Sequence, residues 1–171
     1  MSRPQFSLKT LLERDFDRVC WHDCHIWGLS FHTGEPQNDD WTSELVFDID
    51  FICEWCCNND SGRFSVAPAF LVFHGVEAAE ISIHWGAGQI YPLSIAEISR
   101  DQTGQYSLPS GKTNYRWEIK LNWPQGGRIA FHSFGFTQTL RTEPALIDEQ
   151  CFSLKARTVL LEGVSRPPST P

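Results

Sequence analysis

Apolar and polar residues alternate along most of this chain with a period of two. From Leu45 to Trp55 every odd position is apolar, while Asp48, Asp50 and Glu54 occupy even positions. Successive side chains of a strand point to opposite faces, so this pattern predicts a long half-buried strand. It puts Phe47, Ile49, Phe51, Cys53 and Trp55 in the core. It puts the acids on a solvated face, facing Arg116 and Lys120 across strands. On that assignment Phe51 is a core ring, and Asp50→Asn costs little. Residues 115–123 repeat the alternation with a mixed-charge outer face, and Ile81–Trp85 does so over a shorter span. Cys24–Phe31 sets His25, Trp27, Leu29 and Phe31 against Ile26, Gly28 and Ser30. Phe64–Val76 and Arg128–Phe136 are apolar on both faces, as expected of central strands, and Leu93–Ile98 is a further strand.

Turn chemistry separates these runs. Asn58-Asn59-Asp60-Ser61-Gly62 and Pro124-Gln125-Gly126-Gly127 are hairpin signals. Gly86–Gly88 and the segment from Asp101 to Asn114 read as longer connections. About seven short strands joined by hairpins predict a mainly β fold, an antiparallel β-sandwich or open barrel. Helix is scarce. Ser7 is placed to cap a short helical lead-in over about residues 7–15, and Pro144 to about Cys151 suggests another turn or two. Residues 1–163 then form a single β domain, and 164–171 a disordered tail, since Ser165–Pro171 holds three prolines and no core-forming residue.

Composition narrows the class. Seven Trp and twelve Phe suffice for a core at this length. The opening Met-Ser-Arg-Pro-Gln has no apolar signal region, and no apolar run is long enough to span a bilayer, so the expected location is cytoplasmic. The six cysteines then read as reduced thiols. Charge is lopsided. Between Arg18 and Arg100 the single basic residue Arg63 stands against twelve acids, which makes this stretch −11 within a chain of net charge −7. Such a field attracts cationic partners and opposes nucleic acid and anionic membrane.

Candidate chemistry concentrates in Trp21-His22-Asp23-Cys24-His25. If this segment is a strand, Trp21, Asp23 and His25 share one face, and His22 and Cys24 the other. A metal reading would take Cys20, His22, Cys24 or His25 as ligands, foremost His22, Cys24 and His25, with Cys53, Cys56 and Cys57 completing the site. The spacing lacks the paired ligands of zinc fingers, and alternating residues diverge. The favoured reading is structural, with His22 and Asp23 bonding backbone at a strand corner and the cysteines acting as small hydrophobes. A Cys–His nucleophile using Cys24 or Cys151 with His25, His74 or His132 lacks any nucleophile turn. Asp48, Asp50 and Glu54 lack calcium-loop spacing. There is no phosphate-cradling glycine loop, and no cofactor is expected.

The segment Trp21-His22-Asp23-Cys24-His25-Ile26, leading into alternating strands, resembles the aromatic-His-Asp opening of a group of bacterial β-rich proteins. It is similar to openings in some immunity proteins of polymorphic-toxin systems. Leu71-Val72-Phe73-His74-Gly75-Val76, Ile81-Ser82-Ile83 and Gly135-Phe136-Thr137-Gln138 extend the resemblance over roughly residues 16–157. The stretch His32–Ser43 is longer than in that pattern, and Cys56-Cys57 is foreign to it. The resemblance implies a non-enzymatic protein that neutralises a partner by binding it. The expected function is therefore binding of a cationic protein through an acidic surface. The candidate binding residues are His22, Asp23, His25, Asp39, Asp40, Glu44, Asp48 and Asp50. The alternative is a metal- or small-ligand-binding β-sandwich with hydrolytic activity.

Overall fold

The computed structural model describes residues 10–58, 61–88, 90–107 and 112–162. Its strands are β1 (Thr10–Leu12), β2 (His25–Thr33), β3 (Ser43–Asn58), β4 (Ser61–His74), β5 (Glu77–Ser82), β6 (Leu93–Ser107), β7 (Thr113–Trp123), β8 (Arg128–Ser133), β9 (Gly135–Leu140) and β10 (Ala145–Ile147). One α-helix, α1 (Leu154–Leu161), follows them. All the strands join one antiparallel sheet in the order β1-β9-β4-β3-β2-β6-β7-β8-β5, with β10 added beside β4. The mainly β expectation is met, and the sheet is open rather than closed.

The sheet curls on itself. Four strands lie between β4 and β8 in the sheet order. In a flat sheet at about 4.8 Å per strand their separation would be about 24 Å. Yet Phe73 of β4 stacks edge-on against Phe131 of β8, with ring centroids 4.7 Å apart. Phe73 also meets Trp117 of β7 at 5.0 Å and Phe47 of β3 at 6.0 Å. These rings, with Leu45, Ile49, Leu71, Ile95, Ile119 and Ile129, fill the inside of the curl. The two ends of the sheet meet where β8 passes into β9. Ser133 Oγ donates there to the carbonyls of His74 and Gly135. Gly75 turns with a positive φ of 63°, and a Cβ on it would lie 2.5 Å from the Phe134 ring. Only glycine suits both demands.

Several expected details change. The alternation of β3 holds from Leu45 to Ile49 and then breaks at a bulge between Ile52 and Glu54. The extra residue bends the strand and re-aims its side chains. Ile52, before the bulge, is buried on the same face as Asp50, Phe51 and Cys53 are only half-buried, and Trp55, after the bulge, is exposed. A second bulge, between Ile26 and Gly28, lets both Ile26 and Leu29 pair with core residues of β3, Ile49 and Phe47. The segment Trp21–Cys24 is a turn rather than a strand, because Asp23 is left-handed at φ 60° and the Cys24 amide donates to the Trp21 carbonyl. Within the expected lead-in helix, Thr10–Leu12 is strand and Glu13–Arg18 a 3-10 helix. The expected helix after Pro144 is instead β10 followed by bends, and the true helix begins at Leu154, capped by Ser153. Ser7, the tail 164–171 and the tip of the first hairpin at Asn59 and Asp60 lie outside the described residues.

Candidate functional site

The loop between β2 and β3 is built to hold one shape. The Gly34 amide donates to the Thr42 carbonyl at 2.8 Å across its base. Pro36–Asn38 forms a 3-10 turn, with the Asn38, Asp39 and Asp40 amides bonded back to Glu35 and Pro36 carbonyls. Asp40 Oδ1 accepts from both the Thr42 amide and its hydroxyl, at 3.0 and 2.6 Å. These two bonds, the hydroxyl's first, hold the Asp40 carboxyl below its ordinary range and keep it charged. The loop carries Trp41, which is 74% exposed and donates its indole N–H to Asp39 Oδ1 at 3.0 Å.

Behind Trp41 lies an open groove of about 480 Å³, lined by Asp40, Trp41, Glu44, His74, Lys112 and Phe134 among others. Its floor is a cross-strand hydrogen-bond chain. Glu44 of β3 faces His74 of β4. His74 Nδ1 meets Glu44 Oε1 at 2.9 Å, and Nε2 meets Thr137 Oγ1 of β9 at 2.9 Å. The order carboxylate–imidazole–hydroxyl has the sequence of a nucleophilic triad. Thr137, however, sits in a strand paired on both sides, with Val72 and Leu12. Such a ladder offers no cluster of donors where an oxyanion would form, so the chain reads as a structural relay. Lys112 Nζ sits 4.0 Å from the Phe134 ring centroid, a cation resting on the aromatic wall.

The other acids of the charged stretch are mostly spoken for. Arg157 and Arg141 both bond Asp48, and Arg157 bonds Asp50. Arg128 takes Glu80, and Lys120 takes Glu97. Asp50 corrects the sequence reading most sharply. It is fully buried, and it accepts from Arg157 Nε, the Trp27 indole and the Phe152 amide at 2.8–2.9 Å. The pairing with Arg116 and Lys120 gives way to Arg141 and Arg157, since the C-terminal segment covers this face of β3. No Lys or Arg pairs with Glu35, Asp39 or Asp40 among the described residues. Of the candidate acids, Asp40 and Glu44 thus line the groove, Asp39 holds the indole of Trp41 beside it, and Asp48 and Asp50 do not join them.

The opening cluster serves the fold. Trp21 is buried against Phe136 and donates to Gln138 Oε1 at 2.7 Å. His22 Nδ1 bonds the Ala96 carbonyl, and Asp23 accepts from Asn122 and Gln150. Cys24 is fully buried, its sulfur accepts from the Ile52 amide at 3.3 Å, and burial pushes its thiol pKa up. His25 begins β2 opposite Asp50, with its Nδ1 buried and unpartnered, and burial pushes the imidazole below its ordinary value. Among the described residues no three His, Cys, Asp or Glu side chains converge as metal ligands, so His22, Cys24 and His25 do not form the alternative site. Cys20, Cys24, Cys56 and Cys151 are free thiols.

Sequence reasoning missed Trp41, Lys112 and Phe134. The available signal was Trp41 itself, a lone large aromatic between Asp40 and Thr42 in an otherwise polar loop. Comparison with protein-family models, with curated proteins and with solved structures finds no match. No helix among the described residues is long and apolar enough to cross a membrane.

Proposed function

We propose that this domain binds a cationic protein partner through the β2–β3 loop and the groove behind it. The observation that carries this reading is Trp41, exposed on a loop whose own hydrogen bonds fix it. A pre-ordered aromatic anchor loses little conformational freedom on docking, and tryptophan dominates many interface hot spots. Asp39 and Asp40 flank it without cationic partners, so the rim favours a basic protein and speeds its encounter. Lys112 on Phe134 marks the chemistry that the groove accepts, a basic side chain against an aromatic wall. The immunity-type inhibitor suggested by the sequence resemblance is one form of this function, with a basic toxin as the partner.

The test is photo-crosslinking in the producing cells from position 41 and, as a control, from Leu154, which is 66% exposed on α1. The expected result is a basic protein captured from position 41 alone. Its purified form should associate more slowly as salt rises, because screening acts beyond about 8–10 Å. Asp39→Lys with Asp40→Lys should slow it further. Capture from both positions, an acidic partner, or a rate indifferent to salt and to these substitutions would overturn the proposal.

A further inference from the structure

At the other end of β3 lies a larger cavity of about 550 Å³. It is separated from the Trp41 groove by about eight strand residues, or about 27 Å of chain. Cys53, at the bulge of β3, lines it. The buried Leu11, Ile52 and Leu140 line it together with the half-buried Phe51 and the exposed Trp55. Arg14 and Arg18, both exposed, project from the 3-10 helix into the same lining. Neither has a carboxylate partner among the described residues, whereas Arg63, Arg100, Arg128, Arg141 and Arg157 are all paired. Asp15, also in the lining, is committed to the Leu12 amide at 3.0 Å.

We propose that this cavity binds an amphipathic monocarboxylate, with its head on Arg14 and Arg18 and its apolar body against Phe51, Trp55 and Leu140. Volume, polarity and charge all bear on the choice. The cavity falls in the range of about 300–1,000 Å³ typical of small-molecule sites. Its mixed lining suits a ligand with one charged end. Two guanidinium groups and one carboxylate leave a formal charge of +1, which matches a monoanion better than a phosphate dianion. A guanidinium fork also fits a carboxylate in the bidentate manner that lysine cannot provide. The inference stands apart from the protein-binding reading, because the two sites share no residue.

The experiment uses the full chain, with decanoate as the probe and decanol as its neutral counterpart, both below aggregation and followed by calorimetry. Decanoate should bind one to one, at least tenfold more tightly than decanol. Arg14→Gln with Arg18→Gln should weaken decanoate tenfold or more with an unchanged melting temperature, and Arg116→Gln on β7 should leave it unaltered. Bound decanoate should also slow maleimide labelling of Cys20, which lines the cavity, and spare Cys151, which does not. Equal affinity for decanol, full affinity in the double variant, absence of binding, or equal protection of both cysteines would each refute the site.

Discussion

Arg157 donates from Nε to Asp50 Oδ1 at 2.8 Å, joining the C-terminal helix to the middle of the longest strand across more than a hundred residues of chain. Asp50 is fully buried, and the Arg157 side chain is 7% exposed. Removing one partner of such a pair leaves a desolvated charge. Arg157→Met should therefore cost about 3–5 kcal/mol. The double change Asp50→Asn with Arg157→Met should recover much of that, since it removes the unpaired charge and keeps an amide oxygen for the Trp27 and Phe152 donors. Urea melts of the three proteins check this, and a double variant no better than Arg157→Met would mean that the pair does not act as a unit.

This pair also shows where the sequence stopped being legible. Alternation from Leu45 to Ile49 identified the strand and its inner face, because both are local properties. It could not show that a segment a hundred residues later covers the outer face. Asp50 therefore looked solvated, and the hydrogen bonds that make it buried come from Trp27, Phe152 and Arg157. Bulges defeat periodicity in the same way, since one added residue at Cys53 reverses every face after it. At the candidate site, Asp39, Asp40 and Glu44 could be named from charge. Phe134 could not, because it reaches the groove only at the corner between β8 and β9.

The core centres on Phe73. Its ring meets Phe47, Trp117, Phe131 and Phe136, and it is 1% exposed. Phe73→Ala should cost about 3–5 kcal/mol through lost burial and the cavity left behind. Phe51→Ala, at the half-buried cavity wall, should cost less than half as much, in contrast to the expectation from alternation. Denaturant midpoints in the opposite order would place the core elsewhere.

Gly34 is required by contact rather than by backbone angle. A Cβ there would lie 2.3 Å from Asp40 Oδ1 and 2.6 Å from the Asp40 carbonyl oxygen. The backbone cannot move aside without breaking the bonds that close the loop. Gly34→Ala should thus loosen residues 34–42, raising amide exchange there, while protection in β4 and β7 stays as it was. An unchanged exchange pattern would show that the loop is not held as described.

His25 should make the fold sensitive to mild acid. Burial pushes its imidazole below the ordinary value, against the opposing pull of the Asp23 backbone carbonyl first and of the Asp50 and Asp23 carboxylates after it. The unfolded chain takes up the proton near pH 6.5, while the folded chain resists it. Stability is consequently full above about pH 6.5 and declines as pH falls from there toward the folded value. Wild type and His25→Gln share every other titratable group, so comparing them isolates this one. Between pH 7.5 and 5.5 the wild type should lose more stability than His25→Gln, measured by urea melts at each pH. Parallel curves would mean that His25 accepts its proton as readily folded as unfolded, and its unpartnered Nδ1 would then have to reach solvent or a carboxylate.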